Sequence, residues 1–291
     1  MKERKQTFIV DKDINLLDAI FDFKKDLSKK SIKSFIKNKM IKVNDRVITN
    51  NNYLLNNGDL VEICYEKRII PKYDLDILYE DEYLIAINKP CGLLSISNDK
   101  EKDVTAYRMV SDYVKSNNKK NFIFVVHRLD QETSGVLLFC KNEKIRDRLQ
   151  ENWNTVVKKR GYIALVDGKM NGMGTIRSFL MEDRRQFVYS SKSGQGKEAI
   201  THYEVIKRLI DTTVIKLELE TGRTHQIRVH MKAIGHPLLG DGLYSDIKTD
   251  KINRQALHAK KVSFIHPLSG KIINIEADVP EDIKNIIDLL S

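Results

Sequence analysis

The residues best suited to chemistry in this chain lie in FIFVVHRLDQETSGVLLFCKN, residues 122–142. The apolar runs at 123–126 and 136–140 have the length and composition of strands buried on both faces. A carboxylate between two such strands is costly to desolvate unless it has a use, and an arginine precedes it by two residues. Asp130 is therefore the leading candidate for a catalytic group. The alternative is a surface turn in which its carboxylate caps backbone amides.

A second group of polar side chains lies in TGRTHQIRVHMKAIGHPLLGDGLY, residues 221–244. Arg223, His225, Arg228 and His230 fall within eight consecutive residues. In a strand, Arg228 and His230 share one face, whereas residues 227 and 229 lie on the other. This segment is the second candidate for site residues.

Metal and cofactor sites are not indicated. The histidines at 225, 230 and 236 have neither the HExxH spacing nor that of a zinc finger, and two arginines lie among them. The three cysteines are far apart and form neither a CxxC pair nor a Cys/His cluster. Neither GxGxxG nor GxxxxGK[ST] is present, so we expect no metal and no nucleotide cofactor.

Charge and composition bound the partner and the compartment. The chain has 291 residues and a formal net charge of +10, which favours a polyanionic partner, with nucleic acid first and an anionic membrane second. A basic surface without a specific partner is the alternative. No apolar run approaches the roughly 20 residues that span a bilayer, and the isolated cysteines suit a reducing compartment. We therefore expect a cytoplasmic protein.

The elements before residue 66 form a separate pattern. Asn15 and Ser31 are candidate N-caps of two amphipathic helices, followed by short strands with turns at 44–45 and 58–59. A lysine stripe lies around the second helix, formed by Lys29, Lys30, Lys33 and Lys37. Such a stripe suits contact with phosphates, although a solvated surface is the alternative.

Four stretches of the chain resemble the RluA-type pseudouridine synthases, which isomerise uridine in RNA. HRLDQETSG resembles the family signature HRLDxxTSG, and GRTHQIRVH at 222–230 resembles a second family motif. YEDEYLIAINKPCGLL resembles the opening motif of the catalytic domain, and KKRGYIALVDG the segment with the active-site tyrosine. Residues 14–65 resemble the alpha-L RNA-binding motif of small-subunit ribosomal protein four.

The resemblance implies a fold and a set of roles. The fold is α+β, with a mixed, mainly antiparallel sheet in the catalytic domain, flanking helices, and a small N-terminal helix–helix–β domain. The implied boundaries are 1–66 for the N-terminal domain, 67–74 for a linker and 75–291 for the catalytic domain. Asp130 is the implied catalytic aspartate, Arg228 its partner, Tyr162 the active-site tyrosine, and Ile227 a wall of the base pocket.

Other residues have less specific implied roles. Arg128, Arg223 and His225 are expected to contact RNA phosphates or to bridge loops around the site. At position 160 the chain has Arg where the family commonly has Lys, which keeps the charge but not the geometry. Tyr162 alone, without the resemblance, reads as a core aromatic of a strand. The basic stretch 169–200 is expected to form a hairpin or loop on the RNA face.

The expected function is isomerisation of specific uridines, most simply in 23S ribosomal RNA, by a monomer that needs no cofactor. The same isomerase acting on transfer RNA is one alternative. A non-catalytic RNA-binding or ribosome-assembly protein of the same fold is another. A glycosidic-bond hydrolase is the third, with Asp130 and Glu132 as the carboxyl pair that such enzymes place about 5–9.5 Å apart.

Overall fold

The computed structural model describes residues 5–38, 40–44, 46–48, 50, 53–64, 74–98, 104–185, 187–191, 193–247 and 249–290. The chain divides into two compact units, Met1–Tyr73 and Asp74–Ser291. The predicted linker at 67–74 lies outside the described residues except for residue 74, so its boundaries stay a prediction. None of the helices in the described ranges is long and apolar enough to cross a membrane.

The first unit places two helices against a small antiparallel sheet. Its elements, in chain order, are β1 (Lys5–Ile9), β2 (Ile14–Asn15), α1 (Leu16–Phe23), α2 (Lys29–Lys37), β3 (Ile41–Val43), β4 (Arg46–Val47), β5 (Leu54–Leu55) and β6 (Leu60–Cys64). The sheet order is β1-β6-β3-β4, and β2 pairs with β5. Sequence reasoning missed β1, which closes one edge of this sheet.

The predicted N-cap is confirmed for α1 and wrong for α2. The side chain of Asn15 accepts a hydrogen bond from the N–H of Leu17 at 3.1 Å, as expected of an N-cap. The second helix starts three residues earlier than predicted. The side chain of Ser28 caps it by accepting from the N–H of Ser31 at 3.1 Å, so Ser31 belongs to its first turn.

The second unit is built on one large sheet. Its elements are β7 (Ile77–Glu80), β8 (Leu84–Lys89), α3 (Ala106–Asn117), β9 (Phe124–Val125), β10 (Ser134–Cys140), α4 (Glu143–Glu151), α5 (Trp153–Val156), β11 (Val157–Asp167), β12 (Met173–Glu182), β13 (Val188–Ser191), β14 (Lys197–Arg208), β15 (Thr212–Leu219), α6 (Gln226–Ala233), β16 (Leu257–Ile265), β17 (Ile272–Glu276) and α7 (Glu281–Leu289). The strand order is β13-β12-β14-β15-β11-β16-β10-β8-β7, with β17 beside β16 and β9 beside β10. The α+β class with a mainly antiparallel sheet is confirmed.

The parallel pairing of β10 with β16 depends on a glycine of the central motif. Strand β10 is buried along its whole length, as predicted. Gly135 pairs with Ala259 and has φ +111°, and a Cβ there would lie 2.2 Å from the Ala259 carbonyl oxygen. Only glycine allows so close an approach. The loop that precedes β10 is therefore anchored at the junction of these two strands.

The strand arrangement considered for residues 227–230 is wrong, because this segment lies in α6. Ile227 and Met231 are one helical turn apart and both pack into the same core cluster against the sheet. The apolar alternation at these positions covers only four residues, which is too short to distinguish a strand from a helix. As a consequence Arg228 and His230 point to different partners.

Candidate functional site

The loop that carries Asp130 connects β9 to β10, and its backbone is held on both sides of the carboxylate. The hydroxyl of Ser95 donates to the carbonyl oxygen of Leu129 at 2.7 Å and accepts from its N–H at 3.0 Å. The N–H of Thr133 donates to the carbonyl oxygen of Asp130 at 3.1 Å. Ser95 and Leu129 are buried, so water does not compete for these bonds.

Two buried basic side chains hold the next two carbonyl groups of the loop. Lys89 Nζ donates to the carbonyl oxygen of Gln131 at 2.9 Å, and its other donors bind carbonyls of the 90–93 turn. Arg254 Nη1 donates to the carbonyl oxygen of Glu132 at 3.2 Å, while Nε and Nη2 bind the carboxylate of Asp282 on α7. The loop conformation is therefore preorganised by groups that lie behind it.

Arg228 lies between two carboxylates. Its Nε and Nη2 each donate to an oxygen of Asp241 at 2.7 Å, a bidentate pair that fixes the plane of the guanidinium. Its Nη1 then lies 3.4 Å from Asp130 Oδ2. The structure brings the predicted pair Asp130 and Arg228 together, but the tighter partner of Arg228 is Asp241.

Burial and ion pairing shift the pKa values of Arg228 and Asp241 in opposite directions. Burial alone would raise the pKa of Asp241, but the hydrogen bonds and charge of Arg228 outweigh it and lower that pKa below its ordinary value. Burial likewise would lower the pKa of Arg228, and the bonds to Asp241 raise it instead. Both groups therefore stay charged at neutral pH.

A small cavity of about 70 Å³ opens above the carboxylate of Asp130. The predicted site residues of the second unit all line it: Arg128, Asp130, Tyr162, Arg223, His225, Ile227 and Arg228. They come from the loop before β10, from β11, and from the start of α6 and the turn before it. The structure thus gathers into one cavity residues that are up to 100 positions apart in the chain.

Tyr162 and Ile227 provide the apolar surfaces of this cavity. Both pack with the core cluster between the sheet and α6. Burial raises the pKa of Tyr162 to about 12, so its phenol is protonated at neutral pH. Arg160, the position that departs from the family pattern, hydrogen-bonds the carbonyl oxygen of Glu220, the residue that follows β15. The cavity therefore offers an aromatic and an aliphatic surface to a flat, uncharged ring.

His225 lines the cavity beside the carboxylate, and Tyr244 contacts His225 from outside the cavity lining. His225 Nε2 lies 3.9 Å from Asp130 Oδ2, and its Nδ1 lies 2.9 Å from the Tyr244 hydroxyl. The guanidinium of Arg228 lies over the ring of Tyr244, 4.9 Å from its centroid. Asp130 therefore faces two nitrogen-bearing groups, one always cationic and one an imidazole.

Sequence reasoning missed Asp241 and Tyr244. Asp241 lies in LLGDGLY, where a carboxylate follows an apolar run, and its side chain is fully buried. The same argument that selected Asp130 applies to this position. Tyr244 is also almost completely buried, and its spacing in the sequence gives no signal of its contact with His225.

The two arginines at the rim of the cavity are more exposed than Arg228 at its centre. Arg128 and Arg223 are exposed, so they can reach a ligand outside the cavity. Two contacts orient Arg223. Its side-chain Nε donates to the carbonyl oxygen of Glu198 at 2.9 Å, and its backbone N–H donates to Gln226 Oε1 at 3.0 Å. The basic stretch 169–200 includes the paired strands β12 and β13, as expected of a hairpin.

The predicted RNA-contacting lysines lie on α2 of the first unit. Lys29 Nζ pairs with Asp18 Oδ1 at 2.9 Å, so its charge is partly engaged. The other three lysines of the stripe are exposed: Lys30, Lys33 and Lys37. Across the described ranges, no cluster of three or more His, Cys, Asp or Glu side chains could hold a metal ion.

Glu132 does not share the cavity with Asp130. It lines a larger cavity of about 470 Å³, together with Cys91, Arg254 and residues of α7. A glycosidase needs both carboxyl groups beside one scissile bond. The arrangement therefore does not favour the carboxyl pair considered for a hydrolase.

Comparisons with known proteins agree with one another. A family model described as RNA pseudouridylate synthase matches residues 83–233. The uncharacterized RNA pseudouridine synthase YhcT of Bacillus subtilis is 38% identical over 270 residues, covering 89% of this chain and 88% of YhcT. Ribosomal large subunit pseudouridine synthase D of Salmonella typhimurium is 32% identical over 293 residues, covering 94% of this chain and 89% of that protein.

A solved structure also shares the fold. Human RNA Pseudouridylate Synthase Domain Containing 4 superposes with a TM-score of 0.61 at 22% sequence identity. The match covers 74% of this chain and 92% of that one. At this identity the likeness concerns the fold alone.

Proposed function

We propose that this chain, which belongs to the RluA-type family of RNA pseudouridine synthases, isomerises specific uridines of ribosomal RNA. Membership of the family makes the chain an isomerase. Support for ribosomal RNA comes from the relatives named for the large ribosomal subunit and from the net charge of +10. We propose further that it works as a cytoplasmic monomer.

The cavity that unites Asp130 with Arg228, Tyr162 and Ile227 carries this proposal. Isomerisation requires the bond between C1′ of the ribose and N1 of uracil to break, the uracil to turn, and a bond from C1′ to C5 to form. The proton on C5 is lost and N1 gains one, so no oxidant or cofactor is consumed. A closed pocket that retains the detached base supplies much of the rate through effective concentration.

Each residue of the cavity has a proposed role in these steps. Asp130 is the carboxylate at the reacting bond, and Arg228 Nη1 orients it from 3.4 Å away. Tyr162 and Ile227 enclose the uracil from its two faces. Because burial raises the pKa of Tyr162 to about 12, its neutral phenol is a weak base, which favours a stacking role.

The target uridine has to leave its stack before it can reach this cavity. Extruding a base costs a few kcal/mol, which contacts to the RNA backbone offset. Arg128 and Arg223 are placed for such contacts, because both are exposed at the rim of the cavity. The exposed lysines of α2 add a second proposed contact, in an alpha-L-type RNA-binding domain at 1–66 followed by a linker at 67–74.

The substitution Asp130→Asn tests the catalytic role. It keeps the size of the side chain and removes its charge, so pseudouridine formation should fall by orders of magnitude while RNA binding persists. The measurement is chromatography of nucleosides from a ribosomal RNA transcript incubated with each protein. Asp112→Asn, on the exposed face of α3, is the matched control and should keep the wild-type rate. An Asp130→Asn variant as fast as the control contradicts the assignment.

Mapping of pseudouridine in cellular RNA tests the substrate. Ribosomal RNA from cells that lack the protein should contain uridine at positions modified in the wild type. Loss of pseudouridine from transfer RNA instead would make the chain an isomerase of that RNA. A protein that binds ribosomal RNA and changes no uridine in it would be an assembly factor of the same fold.

The lysines of α2 can be tested separately from catalysis. Exchange of Lys33 and Lys37 for Glu should weaken RNA binding and reduce the slope of log affinity against log salt by about one for each phosphate that the variant no longer neutralises. Lys12 and Lys25, which are also exposed in the first unit, provide a control with the same change of charge. Equal effects of the two double variants would show that net charge, and not the stripe, governs binding.

A further inference from the structure

His225 has a backbone conformation that side-chain-bearing residues rarely adopt. Its φ of +53° and ψ of +17° place it in the left-handed region, directly before α6. Within the described residues, the other non-glycine residue with positive φ is Asn44, in a turn of the first unit. Such a conformation costs of order 1–2 kcal/mol and persists where the surroundings hold it. Here it sets the imidazole in the cavity wall beside Asp130.

The Tyr244 hydroxyl determines which nitrogen of His225 carries the proton. The structure gives this hydroxyl two partners among the described residues: the backbone N–H of Val188 at 3.2 Å and His225 Nδ1 at 2.9 Å. The first is a donor, so the hydroxyl oxygen accepts from it. The hydroxyl proton of this buried side chain then has Nδ1 as its acceptor, since leaving it unpaired is costly. Nδ1 is therefore unprotonated, and Nε2 carries the hydrogen.

The imidazole is uncharged at neutral pH although it faces a carboxylate. The groups that act on it are Asp130, Arg228, Asp241, Tyr244 and the Glu182 carboxylate at the end of β12. Burial lowers the pKa of His225, Asp130 opposes that shift, and Arg228 reinforces it, with a net result below the ordinary value. His225 consequently offers a neutral N–H to the cavity.

We propose that His225 is a further catalytic residue, whose Nε2–H, fixed by Tyr244, donates a hydrogen bond to a carbonyl oxygen of the extruded uracil. The proposal rests on the pseudouridine synthase function proposed above. When the bond from C1′ to N1 breaks, its electron pair remains on the uracil and spreads onto O2 and O4. A donor aimed at one of these oxygens stabilises that charge, and it keeps its own proton throughout. The electron pair returns to C1′ when the bond to C5 forms.

A uracil oxygen fits this donor better than a phosphate does. The side chain of His225 is only 20% exposed and lies beside Asp130, which repels an approaching phosphate. The exposed guanidinium groups of Arg128 and Arg223 already lie at the rim. A neutral donor suits charge that develops only during the reaction, because it does not compete with Arg228 for the carboxylate.

Nitrogen-15 NMR of the histidine side chains tests the protonation state in the free protein, independently of activity. The signals of His225 are assigned by their loss in the His225→Gln spectrum. They should show protonated Nε2 and unprotonated Nδ1 at neutral pH, and Tyr244→Phe should remove that preference. A protonated Nδ1 in the wild-type protein overturns the proposal.

Kinetics with two substitutions of His225 test the catalytic role. His225→Leu should lower kcat by about 100- to 1000-fold, the range for loss of one such donor, with little change in KM. His225→Gln places an N–H near the position of Nε2 and should recover at least about a tenfold part of that loss. His202→Gln, on the exposed side of the sheet, is the control and should keep the wild-type kcat.

The outcomes separate this proposal from the function on which it rests. A His225→Leu variant at the wild-type rate, equal losses in the Leu and Gln variants, or a loss confined to KM would overturn the role of His225 alone. The last of these results would indicate a phosphate contact. A wild-type protein that forms no pseudouridine in ribosomal or transfer RNA would overturn both proposals.

Discussion

Asp241→Asn tests the buried ion pair that Asp241 forms with Arg228. It keeps the shape of the side chain, removes its charge, and turns an amide N–H toward the guanidinium of Arg228. The side chain of Asp241 is fully buried and that of Arg228 is 8% exposed, so water cannot replace the lost partner. Asp241 Oδ1 also accepts from the N–H groups of Leu243 and Tyr244 at 3.0 and 3.1 Å.

The magnitude follows from the burial of the pair. Removing one partner of a buried ion pair costs about 3–5 kcal/mol, because the remaining charge stays desolvated. The same substitution at Asp282 is the matched comparison, since it also pairs bidentately with a buried arginine but is 41% exposed. There water can solvate the released charge, and we expect a loss of about 1 kcal/mol.

The loss is measured as the free energy of unfolding in urea. Trp153, the one tryptophan of the chain, lies in the same unit as Asp241 and reports its unfolding through fluorescence. The pKa of Asp241 is lowered in the folded protein, so its contribution is fully present above the ordinary aspartate pKa of about 3.9. The difference between wild type and Asp241→Asn should thus be constant near neutral pH and shrink as the pH falls below about 4.

Activity provides the second readout. Without Asp241 the guanidinium of Arg228 is free to pair with Asp130 in a new orientation, so kcat should fall more than KM changes. A difference in unfolding free energy below about 1 kcal/mol, or one no larger than that of Asp282→Asn, would refute the reasoning. An unchanged kcat would show that the orientation of Arg228 does not depend on this pair.

Two further substitutions test the contacts that support the loop carrying Asp130. Gly135→Ala should cost more than about 4 kcal/mol and leave little soluble protein, since its Cβ would lie 2.2 Å from the Ala259 carbonyl oxygen; Gly172→Ala, with φ +68° and open space, should cost only about 1–2 kcal/mol. Lys89→Met should lower the unfolding free energy by about 1–3 kcal/mol for each carbonyl left without a donor, including that of Gln131, and should also lower kcat. Thermal unfolding of the soluble protein measures the loss of stability in Gly135→Ala and in Lys89→Met. A wild-type Tm for Gly135→Ala contradicts the close approach to Ala259, and a wild-type Tm for Lys89→Met contradicts the bonds of Lys89 to the carbonyls.

The sequence predicted the loop around Asp130 well because its signals are local. Two apolar runs, at 123–126 and 136–140, flank the carboxylate of Asp130. All three features can be recognised within 20 residues. Strand β10 is buried throughout, as expected, although β9 is shorter than its apolar run suggested. For the basic stretch 169–200 the expectation was a hairpin or a loop, and β12 and β13 form the hairpin.

The sequence failed where the outcome depends on distant parts of the chain. Residues 226–233 form a helix because Ile227 and Met231 both reach one core cluster that β11 and β15 complete. Four residues of alternating polarity cannot reveal that tertiary contact. The Asp241 pair is likewise invisible, since only the fold decides which carboxylate meets the guanidinium of Arg228 more closely.

The charges around Asp130 differ in sign between the centre of the cavity and its rim. Asp130, Arg228 and Asp241 together carry one net negative charge when both carboxyls are ionised. That charge repels phosphates from the cavity, while exposed Arg128 and Arg223 attract them to its rim. An uncharged base can therefore enter where the backbone that carries it cannot. We expect this separation of charge between rim and centre to orient a nucleotide with its base inward, before any contact with the base itself.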